Sequence, residues 1–327
     1  MFDKADVKIY HGFGHTHDLV VFGHVFKRKP SPRNKYTENV FHNIIQLLKL
    51  FFVKPLPNVP VQLTWQGQIF KSKTEKDGFF RFSWKSANHI PAGWHSLIVE
   101  CLNTNGDVIG SDDGKIFVPH ITQFAFISDI DDTIIVSHSA TIGRRLRELF
   151  IRNPKARTVF KDVQKHYSLL ASAHTVEGEL NPFFYVSSSE WNLYDYLHEI
   201  FAHNRLPEGA FLLNQVKRWF ELWKTGKTKH QGKLLRILRI LEIFPNQKFI
   251  LFGDNSQSDP AIYSMLAEQL PGRIFAVYIR NVSEKNEPVT RQLLSAIVKH
   301  GVHCLLFKES GEAVIHSREI RLIEESN

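Results

Sequence analysis

Residues 124–133 read FAFISDIDDT, an unbroken apolar run that ends in three carboxylates within four positions. A continuous apolar stretch of this length suits a strand covered on both faces, the condition of a central strand in a parallel sheet. The carboxylates at its exit then need a reason, because like charges repel and burial penalises each of them. Asp129 and Asp131 are two positions apart, so they leave the strand on the same side, within reach of one site. A hard divalent cation neutralises such a pair, and Mg²⁺, bound through carboxylates and substrate phosphate, fits best.

Downstream of about residue 119, apolar runs alternate with helical patterns, the signature of βαβ units. The expected strands are FAFIS, FFYVS, KFILFG, IFAVYI and VHCLLF. The expected helices lie around TIGRRLRELFI, VFKDVQKHYSLLAS, EWNLYDYLHEIFAHN, GKLLRILRILEIF, PAIYSMLAEQL and TRQLLSAIVKH. Ligands of an open parallel sheet bind at the carboxyl ends of its strands. The second strand ends in Ser187, Ser188 and Ser189 just before a helix, hydroxyls and amides suited to phosphate. Lys229 and Lys233 stand at the head of a later helix, each able to place an ammonium on the same anion. The third strand runs into GDNSQSDP, where Gly253 lets the backbone turn and Asp254 and Asp259 add carboxylates for a metal. A lone Asp after a strand is more often a helix cap; four such pieces at successive strand ends describe a site.

This order of parts resembles the haloacid-dehalogenase-like phosphotransferases, and within them the catalytic domain of the actin-patch-associated phosphatidate phosphatases and their bacterial relatives. The likeness rests on ISDIDDTI, FFYVSSSEWNLYDYL, GKLLRILRILEIFPNQKF and LFGDNSQSDPAIY and covers roughly residues 119 to 285. Glu190 and Ser256 stand where that family commonly has a small residue or Pro, and Gly. The resemblance implies an α/β, Rossmann-like parallel-sheet haloacid-dehalogenase-like phosphatase domain over residues 119–327. It implies Mg²⁺-dependent hydrolysis of a phosphomonoester through an aspartyl-phosphate, with phosphatidate as substrate and diacylglycerol as product. Asp129 would then be the nucleophile and Asp131 the general acid and base. Thr133, Ser187 and Ser188 would bind the phosphate, Lys233 (with Lys229 as the alternative) would balance charge, and Asp129, Asp131, Asp254 and Asp259 would serve the metal. Asp132 is expected to shape the turn. A phosphatase of a soluble ester, and a non-catalytic lipid- or protein-binding adaptor, are the competing readings; a decayed site would be expected to have lost one of Asp129, Asp131, Lys233 or Asp254.

The front of the chain, residues 1–118, has short strand-like runs separated by turn residues such as Asp77-Gly78 and Asn105-Gly106, the pattern of a small antiparallel β-sandwich. An amphipathic helix over about 37–53 interrupts it, with Phe41, Ile44, Ile45, Leu48, Phe51 and Phe52 at helical spacing. Its apolar face suits either the core or a membrane surface, and core packing is the more common use.

A chain of 327 residues suits two domains, and 43% hydrophobic with 23% charged residues is globular composition. The amino terminus lacks the pattern of a secretory signal, and no apolar run is long enough for a membrane span. Cytoplasmic placement, with peripheral contact at a membrane, is the expectation. Cys101 and Cys304 fall in apolar runs without a neighbouring Cys or His at metal-ligand spacing and read as reduced thiols. The net charge of +8 favours an anionic partner without choosing one. Nothing beyond that charge supports nucleic-acid readout. The basic run from Arg144 to Arg157, the aromatics Trp219, Phe220 and Trp223, and the cluster His11, His15 and His17 are read as a solvated face, packed rings and a chance spacing.

Overall fold

The computed structural model describes residues 4–28, 52–120, 123–136, 159–176, 179–214 and 229–324, with 229–231 described through their backbone alone. The described residues cluster into two compact units. One comprises those up to Pro119 with Glu190–Tyr194, and the other His120 to Ser189 with those from Asp195 onward.

The first unit carries strands β1 (Asp6–Ile9), β2 (Gly12–His15), β3 (Asp18–Arg28), β4 (Lys54–Pro55), β5 (Pro60–Trp65), β6 (Gln68–Lys73), β7 (Phe79–Trp84), β8 (Gly93–Leu102) and β9 (Val108–Val118). They join in one sheet ordered β1-β3-β2-β9-β8-β5-β6, with β4 and β7 also pairing β3. The sheet is mixed rather than wholly antiparallel as expected, because β2 pairs β9 in parallel. Apolar residues alternate along β5 and β7, placing Val61, Leu63 and Trp65 with Phe80, Phe82 and Trp84 in one core. Trp65 and Trp84 meet edge to face at 5.7 Å although their strands are not paired. Cys101 lies in this core and Cys304 is half-buried. In the turn between β2 and β3, His15 accepts the His17 backbone N–H at 3.2 Å, a local contact. The expected helix over about 37–53, the basic run 144–157 and the aromatics at 219–223 lie outside the described residues, except that Phe52 is exposed and Val53 buried.

The second unit is built on β10 (Phe124–Ser128), β11 (Phe183–Glu190), β12 (Ala210–Asn214), β13 (Lys248–Asp254), β14 (Ile274–Arg280) and β15 (His303–Phe307). Around them lie helices α1 (Val163–Ser172), α2 (Tyr194–His203), α3 (Lys229–Ile243), α4 (Asp259–Gln269), α5 (Glu287–Val298) and α6 (Ser310–Glu319). The sheet order is β12-β11-β10-β13-β14-β15, and the pairings of β10 with β11 and β13, of β13 with β14, and of β14 with β15 are parallel. Numbered within the unit this is 3-2-1-4-5-6, the doubly wound order, whose switch point falls between β10 and β13. Every residue of β10 is buried, as its unbroken apolar sequence requires. The five expected strands are present. β12 and α6 were not foreseen: AFLLN is short, and α6 buries Ser310 and Ser317 beside Ala313 and Val314, so its inner face carries no apolar period.

Arg280, at the end of β14 and only 2% exposed, ties three segments together. Its guanidinium donates to the Thr133 carbonyl at 3.0 Å, the Lys308 carbonyl at 2.9 Å and the Ser310 hydroxyl at 2.8 Å. The rings of Phe160 and Phe307 flank it, 4.1 and 4.7 Å from the guanidinium carbon. Replacing Arg280 with Met should cost about 3 kcal/mol or more, because buried carbonyls lose charge-assisted donors. Chemical denaturation of the two proteins measures it, and unchanged stability would show that the three bonds contribute nothing.

Candidate active site

The site lies at the carboxyl ends of β10, β11 and β13. The Asp129 backbone N–H extends the sheet ladder to the Phe252 carbonyl at 2.9 Å, which fixes where the Asp129 side chain emerges. The chain then turns sharply. Asp132 has φ 61°, its N–H donates to the Ile135 carbonyl at 2.8 Å, and the amides of Ile134 and Ile135 both donate to the Ile130 carbonyl at 3.0 Å. A left-handed non-glycine residue is tolerated best when it is Asp or Asn, so the last carboxylate of the run has a conformational use.

Two clusters form around the first two carboxylates, Asp129 and Asp131. In the first, the Lys233 ammonium, from the second turn of α3, donates to Asp129 Oδ1 at 2.7 Å and to Asp259 Oδ1. All three side chains are at most 2% exposed. Asp259 opens α4 directly behind β13, and Gly253 makes room for it. A Cβ at residue 253 would lie 2.5 Å from Asp259 Oδ2 and 2.6 Å from its Cβ. In the second cluster, Asp131 Oδ2 accepts from the hydroxyls of Ser187 at 3.2 Å and Ser189 at 2.9 Å. Alternation along β11 puts those two hydroxyls on one side. Ser187 and Ser188 are the serines expected at the phosphate; the hydroxyl that joins Ser187 at Asp131 belongs to Ser189, in keeping with period two along the strand. Thr133 Oγ1 sits between the clusters, donating weakly to Asp129 Oδ2 at 3.4 Å. The side chain of Lys229 lies outside the described residues.

Asp254, the last residue of β13, is fully buried beside this group. Its Oδ1 accepts the Ser256 N–H at 2.6 Å, whereas its Oδ2 has no hydrogen-bond partner among the described residues. Oxygens of Asp129, Asp254 and Asp259 lie within 4.8 Å of one another. Lys233 takes one oxygen each from Asp129 and Asp259. Each of the three carboxylates keeps another oxygen engaged at 3.4 Å or not at all. Three hard oxygen donors left in this state fit a divalent cation such as Mg²⁺ or Ca²⁺. Asp131 is held by the serines, outside that trio.

The electrostatics follow from burial. Burial pushes the Asp129 carboxyl well above the usual carboxylate range; Lys233 opposes the shift, and Asp259, Asp254 and Asp131 add to it. Burial would lower the Lys233 ammonium, but Asp129 and Asp259 outweigh it and leave its pKa raised. Asp254 is pushed up to about 7, by burial first and then by Asp259. One ammonium does not offset all the carboxylates around it, and a proton makes up part of the deficit.

A β10–β13 switch point lined with buried carboxylates, a lysine and hydroxyls brings together residue types that could hold an anionic group. Residues 124–281, just under half of the chain, match the family model described as phosphatidate phosphatase APP1, catalytic domain, and this segment belongs to that family. Phosphatidate phosphatase APP1 of Saccharomyces cerevisiae is 34% identical over 166 residues, covering 50% of this chain and 27% of the yeast protein. An uncharacterized protein of Schizosaccharomyces pombe is 24% identical over 163 residues, covering 48% of this chain and 25% of its own length. The chain therefore spans about a quarter of each curated relative. Among solved structures, a carbohydrate acetylesterase from Xanthomonas citri overlaps 95% of this chain and 72% of its own, at 8% identity and a TM-score of 0.33, too low to imply a shared fold.

The raised Asp254 pKa has a measurable sign. Between about pH 4 and 7 the folded carboxyl holds a proton that the unfolded chain has released. Without divalent cations, this contribution to stability is therefore full below the unfolded pKa and lost as pH rises through about 7. Asp254→Asn, which mimics the protonated form, should flatten the fall in melting temperature over that range. Parallel profiles for the two proteins would show that Asp254 is ionised throughout.

Proposed function

We propose that this chain is a Mg²⁺-dependent phosphatase that hydrolyses phosphatidate to diacylglycerol through an aspartyl-phosphate. Membership of residues 124–281 in the phosphatidate phosphatase catalytic-domain family supports the substrate. The observation that carries the chemistry is the division of two neighbouring carboxylates between unlike partners, Asp129 on an ammonium and Asp131 on two hydroxyls. Neighbouring carboxyls in unlike surroundings take the separate roles of nucleophile and proton carrier.

Lys233 keeps Asp129 in one orientation, and an Asp129 oxygen attacks phosphorus in line with the departing ester oxygen. Asp131, fixed by Ser187 and Ser189, delivers a proton to that alkoxide as its bond to phosphorus breaks, giving diacylglycerol. The same group then accepts a proton from water attacking the phosphoryl–Asp129 intermediate, which returns a free Asp129 and inorganic phosphate. Asp129 and Asp254 would be the side-chain ligands of the metal, with Asp259 steering its waters. Bound there, Mg²⁺ supplies positive charge against the phosphoryl oxygens. Thr133 is assigned as a donor to the phosphate, joined by Ser187 when its hydroxyl turns from Asp131 to bound substrate and leaves Ser189 to hold that carboxyl, and Asp132 is assigned to the turn. The doubly wound order and the acidic pair at its switch point support a haloacid-dehalogenase-like reading of the second unit. The contact of Trp65 with Trp84 across unpaired strands supports a sandwich-like reading of the first.

Phosphate release from phosphatidate vesicles should require Mg²⁺ and stop on chelation. Asp129→Asn should lower it by about 10³-fold or more, and Asp131→Asn by about 10²- to 10⁴-fold. Acid quenching should trap a phosphoenzyme in the unsubstituted protein and none in Asp129→Asn. Turnover confined to soluble esters would overturn the lipid assignment, and turnover surviving in Asp129→Asn would overturn the mechanism.

A further inference from the structure

Arg236 lies one helical turn beyond Lys233 on α3, so the two cations share a helix face. Its guanidinium is only partly used. One Nη2 proton goes to the Ser187 carbonyl at 3.2 Å, while the buried Nε–H has no acceptor among the described residues. A guanidinium left this way is under-satisfied: burial removes water from its donors, and a single neutral carbonyl returns little. The negative charge of Asp129 reaches it, and although burial lowers its pKa to about 10, it remains a cation at neutral pH.

The Lys233 ammonium, by contrast, is committed to Asp129 and Asp259. A phosphomonoester arriving at four buried carboxylates brings up to two further negative charges. Lys233 has little left to offer it. The unused donor is Arg236, held against the backbone of the residue whose hydroxyl orients Asp131.

We propose that Arg236 is the second cation of the site, a substrate-binding residue whose guanidinium donates to the phosphate and favours the dianionic monoester. The proposal rests on the phosphatase reading for its substrate, but not for the anion site itself. No covalent step is assigned to Arg236; it recognises charge and shape.

The test pairs Arg236→Gln, which removes the charge, with Arg236→Lys, which keeps the charge and loses the planar fork. Affinity for inorganic phosphate in the presence of Mg²⁺ is read from thermal protection and, independently of turnover, by calorimetry. KM and kcat are read on a dispersed short-chain phosphatidate, so that vesicle adsorption does not enter. Arg236→Gln should weaken phosphate binding and raise KM by about 10- to 100-fold, with a smaller effect on kcat, and Arg236→Lys should fall between. Circular dichroism and the melting temperature establish that the variants are folded; if Arg236→Gln is not, Arg236→Lys alone carries the comparison. Unchanged phosphate affinity and KM, with or without a loss of kcat, would overturn the proposal and reduce Arg236 to a brace for Ser187. Failure of the unsubstituted protein to bind phosphate would overturn it as well. Arg236-dependent phosphate binding without hydrolysis of any ester would refute the phosphatase reading and leave the anion site standing.

Discussion

A single buried ammonium governs the second unit. Lys233 is 2% exposed and contacts Asp129 and Asp259, which come from opposite sides of the β10–β13 junction. Burying a carboxylate alone costs several kcal/mol, and burying two side by side costs more. The arrangement is tolerable because the ammonium stands between them, and it stands there because α3 starts at the carboxyl edge of the sheet and α4 starts directly behind β13. Gly253 belongs to the same constraint, since no larger residue fits against Asp259. Helix placement, strand order and a glycine thus converge on one ion cluster.

The cluster is nevertheless short of positive charge. Among the described residues Asp254 keeps a buried oxygen without a donor, and burial, with Asp259 beside it, pushes its carboxyl up to about 7. Asp131 avoids the problem through two serine hydroxyls, which stabilise it without adding charge. The electrostatic deficit is therefore concentrated on the β13 side, where the three metal-ready carboxylates gather, and the hydroxyl-bound Asp131 is kept apart from it. The proposed division between a cation site and a proton carrier rests on that asymmetry.

Much of this was readable in the chain itself. Unbroken apolar runs identified five strands of the parallel sheet, because a strand buried on both faces has no polar alternation to blur it. Asp129, Asp254 and Asp259 stand out because charged residues at and just past strand exits are costly without purpose, whereas the family resemblance alone prefers Lys233 to Lys229. The misses have equally physical causes. The contact of Ser189 with Asp131 is not evident from FFYVS taken as the strand, whereas β11 continues to Glu190 and keeps its alternation. Arg280 gives no local signal: its partners Lys308, Ser310 and Thr133 lie 28, 30 and 147 positions away. Arg236 looked like one more basic residue on an amphipathic helix until the Ser187 carbonyl appeared beside it. The parallel pairing of β2 with β9 is likewise a long-range choice that alternation does not encode.

The switch-point order also bears on how the chain reaches this state. Asp129 and Lys233 are 104 positions apart, and β10 must wait for β13 before its second edge is paired. Contacts of that range are slow to form, since a long loop must close before any of its reward is collected. During synthesis, a fully apolar strand with an open edge leaves the ribosome well ahead of the segment that covers it. Such an edge invites pairing with another chain. The carboxylates behind β10 have a use in that interval: still solvated and charged, they stand at the end of the exposed strand and discourage a like strand from docking in register.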